Sequence, residues 1–236
     1  MNQGRINALM ALAEQFGIQL ARYELVNTAL THPSYTFEKD LTDLDHNQRL
    51  EFLGDAVVDL VVGDYLFHEY PQKLEGELTK MRAALVCESS LANAARRAGL
   101  GDYLLMGKGE KNCGGQKRAS NLADAWEALM GALYLELGID AVRPIIIGYI
   151  QPEIEAVKKG QFGDYKTQLQ EIVQKNPDAQ ISYQIISEEG PDHDKLFVAQ
   201  VTVNQQSPHI GRGKTKKEAE QNAALQALIA LGEVDE

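Results

Sequence analysis

The chain has 236 residues, enough for one large domain or for a medium domain followed by a small one. Its net charge of −11 excludes nucleic-acid binding through bulk charge, so such binding would need local basic patches on an acidic body. Cys87 and Cys113 lack CxxC spacing, which argues against a zinc site and for a reducing compartment. The N-terminus does not read as a signal peptide, and no stretch approaches the roughly 20 apolar residues of a membrane span. We expect a soluble, cytoplasmic protein that has no membrane partner.

Helical periodicity runs through the first two thirds of the chain, where strand signals are almost absent. The predicted helices are Ile6–Phe16, Tyr23–Leu30, Asn47–Leu66, Leu78–Val86, Glu88–Ala98, Ser120–Leu137 and Asp140–Lys158. In the last helix, Pro144 is expected within the first turn, where proline is tolerated. Residues 34–46 are polar and turn-rich, and residues 101–117 form a loop rich in glycine and lysine. We predict an all-α domain over residues 1–158.

The pattern changes after residues 159–163, a segment with two glycines that we interpret as a linker. The elements predicted beyond it are a helix at Tyr165–Lys175, strands at Gln180–Ser187, Leu196–Asn204 and His209–Gly213, and a helix at Thr215–Leu231. The order α-β-β-β-α predicts a small α+β domain over residues 164–232. The chain is therefore predicted to have two domains.

The helix Asn47–Leu66 is apolar around its circumference, yet Glu51, Asp55 and Asp59 lie at a four-residue spacing that places them on one face. A buried, ionised carboxylate costs several kcal/mol unless it is paired or bound to a metal. The pattern indicates a need for a cation from elsewhere in the fold. The alternative is a ladder of carboxylates on a solvated face.

A second predicted helix repeats this arrangement, because Asp124 and Glu127 share a face among apolar neighbours. If the two helices face each other, Glu51, Asp55, Asp124 and Glu127 would balance two Mg²⁺ ions, or one ion together with solvent. Such a site suits hydrolysis of a phosphodiester bond. The alternative is that the acids meet basic partners such as Arg49, Lys80 or Arg82.

Residues 47–60, NQRLEFLGDAVVDL, closely resemble the signature of the ribonuclease III family. Three further stretches agree in order and spacing: ALTHPSY at 29–35, EGELTKMRAALV at 75–86 and LADAWEALMGALYL at 122–135. The resemblance implies a Mg²⁺-dependent endoribonuclease that cuts double-stranded RNA as a homodimer, without a small-molecule cofactor. It also implies products with 5′-phosphate and 3′-hydroxyl ends and a short 3′ overhang, and structured ribosomal and messenger RNA precursors as substrates.

The resemblance also implies roles for particular residues. It assigns Glu51, Asp55, Asp124 and Glu127 to the magnesium site, with Asp55 and Glu127 as catalytic residues. It makes Glu75 an auxiliary acid and places the aromatic ring of Phe52 in a cavity of the partner subunit.

The sequence departs from the family signature at Gln48, where the family has glutamate. Gln48 shares the helix face of Glu51 and Asp55, so it is predicted to be auxiliary to the metal site. Its amide keeps a carbonyl acceptor but lacks the negative charge.

The C-terminal domain resembles a double-stranded-RNA-binding domain in the stretches YKTQLQE at 165–171, GPDHDKLF at 190–197 and GRGKTKKEAEQNAA at 211–224. By this resemblance, residues on the first helix and on the loop after the first strand enter minor grooves. The residues concerned are Thr167, Gln170, Glu171 and His193. Lys214, Lys216 and Lys217 cluster at the start of the last helix, where backbone N–H groups also favour phosphate.

Two other functions are compatible with parts of this pattern. A non-catalytic double-stranded-RNA-binding protein is favoured only by Gln48, and the intact carboxylates argue against it. An all-α magnesium pyrophosphatase would share acid-bearing helices but has no use for the C-terminal domain.

Overall fold

The structure is a computed structural model that describes residues 1–42, 44–158, 165–176, 179–190, 195–204, 207–213 and 215–233. The chain divides into two compact units, Met1–Ile154 and Glu155–Glu236. Within the described ranges, no helix combines the length and apolar character that crossing a membrane requires. The predicted linker, residues 159–163, lies outside the described residues.

Helices account for the regular structure described up to residue 158, which confirms the predicted all-α class. They are α1 (Gln3–Gln15), α2 (Glu24–Ala29), α3 (Pro33–Glu38), α4 (Gln48–Glu69), α5 (Glu75–Leu85), α6 (Glu88–Arg97), α7 (Lys108–Asn112), α8 (Ala119–Leu137), α9 (Ile139–Tyr149) and α10 (Gln151–Lys158). Short 3-10 turns at Leu100–Tyr103 and Gly115–Lys117 flank α7.

Helices α4 and α8 form the centre of the first unit and make the most extensive helix–helix contact in the described structure. Most of α8 is buried, which explains why apolar residues surround its acids in the sequence. Trp126 of α8 is fully buried. Its ring centroid lies 5.3 Å from that of Tyr149 on α9 and 6.4 Å from that of Phe16, at the end of α1. This aromatic contact attaches both ends of the unit to its central helix.

The predicted helix Asp140–Lys158 is wrong as a single element, because α9 ends and α10 begins on either side of Ile150. Pro152 explains the break: it has no N–H to donate to Gly148, the bond that a continuous helix would require. Pro144 lies inside α9 beyond the first turn, not within it as predicted. A helix also replaces part of the predicted polar turn, since Pro33 starts α3 and His32 caps it.

The second unit contains α11 (Tyr165–Val173), β1 (Ile181–Glu189), β2 (Leu196–Val203), β3 (His209–Gly213) and α12 (Lys216–Ala230), confirming the predicted order. The strands form an antiparallel sheet in the order β1-β2-β3. The alanine face of α12 packs on the sheet together with α11; this core includes Leu169, Ala199, Val201, Ala219, Ala223 and Ala227. The small side chains allow α12 to lie close to the strands.

Candidate functional site

Helices α4 and α8 cross in close contact at two glycines, Gly54 on α4 and Gly131 on α8. A Cβ atom on Gly54 would lie 1.7 Å from the carbonyl oxygen of Glu127. A Cβ atom on Gly131 would lie 2.4 Å from the carbonyl oxygen of Leu50 and 3.0 Å from the amide nitrogen of Gly54. The two backbones therefore touch within one turn of the acidic residues on each helix. Only residues without a side chain allow this approach.

The close crossing brings acids of the two helices together. The ligand oxygens of Glu51 on α4 and of Asp124 and Glu127 on α8 all lie within 4.8 Å of one another, and all three residues are half-buried. Asp55 is exposed and stands outside this set of three, one turn beyond Glu51. Among the described ion pairs, none engages Glu51, Asp124 or Glu127. The three residues form an acidic cluster that has no ion-pair partner among the residues that the structure describes.

Glu127 has the strongest perturbation in this acidic cluster. Burial, followed by the negative charges of Asp55, Glu51, Asp124 and Asp59, raises the pKa of Glu127 to about 8. Asp55 is thus close enough for its charge to act on Glu127, although it is not one of the three residues whose oxygens lie together. A cation bound beside Glu127 would favour its ionised form.

The other two members of the acidic cluster are shifted in the same direction. Burial raises the pKa of Glu51, and the charges of Asp124 and Asp55 raise it further. Burial raises the pKa of Asp124, and Glu88 adds to the increase, whereas His32 opposes it. A set of close carboxylate oxygens with raised pKa values fits a hard divalent cation such as Mg²⁺, which prefers oxygen ligands.

Polar contacts hold the loop that precedes α8 against the start of that helix. The buried side-chain amide of Asn121 donates to Glu110 Oε1 at 3.0 Å and to the carbonyl oxygen of Gly115 at 3.0 Å. Arg118 donates to the same Glu110 oxygen at 2.6 Å. Because Asn121 lies one turn before Asp124, these contacts orient the helix end that presents the acidic cluster.

The two auxiliary residues predicted from the sequence do not join the acidic cluster. Gln48 is exposed in the first turn of α4, one turn before Glu51. Glu75 is exposed at the start of α5, where it accepts a hydrogen bond of 3.0 Å from the hydroxyl of Thr79. Their proximity to a bound ion remains a prediction.

Sequence reasoning missed the importance of Gly54 and Gly131. Glycine within a helix costs about 1 kcal/mol relative to alanine, so two glycines in long apolar helices are a signal of close packing. It also missed Glu88 and His32, whose charges act on Asp124. These two come from α6 and from the residue before α3, and no spacing in the sequence relates them to α8.

The outer face of α4 is apolar and exposed. Phe52 is 83 % exposed, and Leu60 and Phe67 on the same helix are 61 % and 66 % exposed. Large apolar side chains that recur along one helix in this way are typical of a protein–protein contact. Phe52 neighbours Glu51 in sequence, so this exposed face adjoins the acidic cluster.

In the second unit, Thr167, Gln170 and Glu171 are exposed on α11 at spacings that place them on one face. Lys216 and Lys217 are exposed in the first turn of α12. Thr215 caps this helix, because its hydroxyl accepts a hydrogen bond of 3.1 Å from the amide of Glu218. His193 and Lys214 lie outside the described residues.

Comparisons with known proteins agree with both units. The Ribonuclease-III-like family profile matches residues 22–154, and the double-stranded RNA binding motif matches residues 165–231. Ribonuclease 3 of Syntrophomonas wolfei is 52% identical over 205 residues, covering 87% of this chain and 87% of that protein. Ribonuclease 3 of Listeria monocytogenes is 48% identical over 226 residues, covering 96% of this chain and 99% of that protein.

A solved structure also resembles the helical unit. The nuclease domain of ribonuclease III from Campylobacter jejuni superposes with a TM-score of 0.56 and is 43% identical, covering 60% of this chain and 95% of that one. That nuclease domain shows structural flexibility in a region involved in dimer formation. Given these matches over nearly the whole chain, the protein belongs to the ribonuclease III family, as an endoribonuclease of double-stranded RNA with a C-terminal double-stranded-RNA-binding domain.

Proposed function

We propose that the protein hydrolyses double-stranded RNA in a Mg²⁺-dependent reaction, leaving 5′-phosphate and 3′-hydroxyl ends with a short 3′ overhang. The observation that supports the metal requirement is the acidic cluster, whose oxygens lie within 4.8 Å of one another without a basic partner among the described ion pairs. Glu51, Asp124 and Glu127 would hold the ion, and Asp55 would complete the site from the exposed side.

A bound Mg²⁺ would promote deprotonation of a water and stabilise negative charge on the leaving oxygen. The protein's own contribution is to hold the carboxylates close to one another and fixed in position. Burial disfavours the ionised form of Glu127, so its carboxylate is predisposed to exchange a proton for a cation. We assign Asp55 and Glu127 as the catalytic residues, and Gln48 and Glu75 as auxiliary residues that adjust metal affinity.

The second unit supplies the RNA-binding surface in this proposal. Double-stranded RNA displays 2′-hydroxyls and phosphates across its minor groove, and proteins recognise it mainly by shape. Thr167, Gln170 and Glu171 would contact the minor groove from α11, and His193 would do so from the loop after β1. Lys214, Lys216 and Lys217 would contact phosphates at the start of α12, where lysine ammonium groups and backbone N–H groups act together.

We also propose that the functional protein is a homodimer assembled through the exposed face of α4, with Phe52 inserted into the partner subunit. The exposure of Phe52, Leu60 and Phe67 supports this assembly, as does the dimer formation named for the nuclease domain from Campylobacter jejuni. A self-complementary patch on one helix produces a twofold dimer. Each subunit then contributes one acidic cluster, so that the two sites cut opposite strands.

The cellular role in this proposal is the processing of structured precursors of ribosomal RNA and of some messenger and transfer RNAs in the cytoplasm. A reducing compartment is consistent with Cys87 and Cys113, which are both exposed and not joined in a disulfide. We also place the linker between the nuclease domain and the RNA-binding domain at residues 159–163.

The experiment that tests the function is incubation of a perfect RNA duplex, and of each of its single strands, with and without Mg²⁺. We expect ordered fragments from the duplex in the presence of Mg²⁺ alone, with 5′-phosphate ends. Duplex binding without cleavage would instead identify a non-catalytic RNA-binding protein. Release of pyrophosphate from nucleotides without duplex cleavage would identify a pyrophosphatase.

A further inference from the structure

One of the lysines assigned to RNA, Lys216, already forms an ion pair with a carboxylate of the same unit, that of Glu188. Lys216 Nζ lies 2.8 Å from Glu188 Oε1, and the same ammonium lies 5.6 Å from the ring centroid of Phe197. Both partners of the ion pair are accessible, since the side chain of Lys216 is 60% exposed and that of Glu188 is 41% exposed. The contact therefore lies on the surface where RNA is proposed to bind.

A β-bulge at Ile186 aims Glu188 towards this lysine. Side chains of a regular strand alternate between its two faces, so Glu188 would lie on the face opposite to Ile181, Tyr183 and Ile185, which pack against the core of the unit. The register shifts between Ile185 and Ser187, and Glu188 instead pairs with Phe197, which also packs against the core. The bulge transfers Glu188 to the helix side of the sheet, where it meets the start of α12.

The charges of nearby lysines stabilise the ionised form of Glu188. The hydrogen bond from Lys216, together with its positive charge and that of Lys195, lowers the pKa of Glu188, so the carboxylate is ionised at neutral pH. A phosphate that approaches Lys216 therefore also approaches a negative charge within one side-chain length. Like charges at such a distance repel each other in water, and more strongly where solvent is partly excluded.

We propose that Glu188 is an intramolecular competitor of the RNA backbone for Lys216, and that it limits the affinity of the C-terminal domain for double-stranded RNA. The inference rests on the proposed function of the lysines at the start of α12. In the RNA-free protein the ammonium is partly neutralised by Glu188. Binding then requires the phosphate to displace or share this partner, which reduces both the affinity and the number of counterions released.

The test is duplex binding by the full-length protein, measured in Ca²⁺ to prevent cleavage, over a series of salt concentrations. Glu188→Gln should tighten binding by about two- to fivefold, the scale set by an exposed ion pair. It should also steepen the plot of log K against log salt by up to about 0.9, the value for one phosphate contact. The matched control is Glu189→Gln, which makes the same charge change on the next residue of β1 and should have a smaller effect.

The same substitution in a Lys216→Met protein tests whether Glu188 competes with RNA for Lys216 or instead orients Lys216 towards RNA. In a Lys216→Met protein, Glu188→Gln should lose its effect, because the competed lysine is gone. If Glu188 instead orients Lys216 towards phosphate, Glu188→Gln weakens binding, and that result overturns the proposal. An equal gain in Glu189→Gln also overturns it, since bulk charge would then explain the change. Failure of the wild-type chain to bind any duplex would reject the proposed RNA-binding function itself.

Discussion

Gly54 of α4 and Gly131 of α8 lie in direct contact at the point where the two acid-bearing helices cross. The carbonyl oxygen of Glu127 occupies the position that a side chain on Gly54 would need. The backbone that presents Glu127 is thus set directly against the backbone that presents Glu51 and Asp55. The distance between the two halves of the acidic cluster is controlled by the absence of two Cβ atoms.

Gly54→Ala should separate α4 from α8 and disrupt the acidic cluster. Overpacking of this kind destabilises a protein by about 1–3 kcal/mol, and the displaced carboxylates should lose Mg²⁺ affinity and cleavage activity. Gly63→Ala in the same helix is the control, because its Cβ would meet its nearest neighbour, Arg82, at an ordinary 3.9 Å. Thermal unfolding and a Mg²⁺ titration of cleavage measure both effects. Equal behaviour of the two variants would refute the role of the crossing.

Asp55→Asn and Glu127→Gln should each reduce cleavage by several orders of magnitude, since each removes a charge that the proposed metal chemistry requires. Duplex binding should change by less than about twofold, because the proposed phosphate contacts of the second unit would supply it. The measurements are single-turnover cleavage in Mg²⁺ and filter binding in Ca²⁺. Asp59→Asn, one turn further along α4, is the control and should retain cleavage. Wild-type rates in either of the first two variants would exclude the assignment.

The stability of the metal-free protein should depend on pH through Glu127. The folded-state pKa of about 8 lies above the ordinary value of 4.5, so the folded state binds the proton more tightly than the unfolded state. This contribution to stability is fully present below about pH 4.5 and is lost as the pH rises through about 8. The melting temperature in EDTA should therefore fall between pH 6 and 8.5, and by less in Glu127→Gln. Identical pH profiles for the two proteins would contradict the predicted shift.

Metal should reverse this dependence, since the proposed Mg²⁺ site consists of ionised carboxylates. Adding Mg²⁺ should raise the melting temperature more at pH 8.5 than at pH 6 and should release protons. Calorimetric titration in two buffers of different ionisation enthalpy counts those protons. The Glu127→Gln protein should release fewer of them.

Phe52→Ala should weaken the proposed dimer, because it removes a large ring that is 83 % exposed in the single chain. Aromatic anchors of this kind contribute about 2 kcal/mol or more to an interface, which corresponds to a dissociation constant at least about thirtyfold higher. Sedimentation equilibrium at micromolar concentration measures the constant. Met10→Ala on α1, also an exposed apolar residue, provides the control. A fully active monomeric wild-type protein would rule out the dimer.

Gln48→Glu should lower the Mg²⁺ concentration needed for half-maximal cleavage, with a smaller effect on the rate at saturating metal. Gln48 is exposed one turn before Glu51, so a carboxylate there would add negative charge near the cation. The competing explanation is that Gln48 faces RNA, in which case glutamate would weaken duplex binding and leave the Mg²⁺ midpoint unchanged. A Mg²⁺ titration on a short hairpin, with binding measured in Ca²⁺, separates the two. An unchanged midpoint would decide against metal tuning.

The acidic residues could be predicted because their spacing on a helix is written in the sequence. Glu51 with Asp55, and Asp124 with Glu127, each share a face whatever surrounds them. The way the two faces meet could not be predicted in the same manner, since it depends on Gly54 reaching a carbonyl 73 residues further along the chain. Local patterns describe one helix at a time, whereas a crossing is a property of two.

The ion pair between Lys216 and Glu188 in the second unit is another contact that local sequence patterns do not predict. The three lysines are visible in the sequence, but the availability of Lys216 depends on a bulge at Ile186 that moves Glu188 to the other face of its strand. A one-residue shift of register has no signature in the alternating pattern of β1. The break at Ile150 differs, because Pro152 signals it and the sequence prediction overlooked it.

Trp126 gives the protein an internal optical probe. It is the single tryptophan of the chain, it is fully buried, and it precedes Glu127 on α8. Its fluorescence therefore reports on the nuclease unit alone, whereas circular dichroism of the peptide bonds reports on both units. A comparison of the two signals during denaturation would show whether the RNA-binding unit unfolds independently. The emission of Trp126 during a Mg²⁺ titration would show whether filling the acidic cluster changes the packing of the helix behind it.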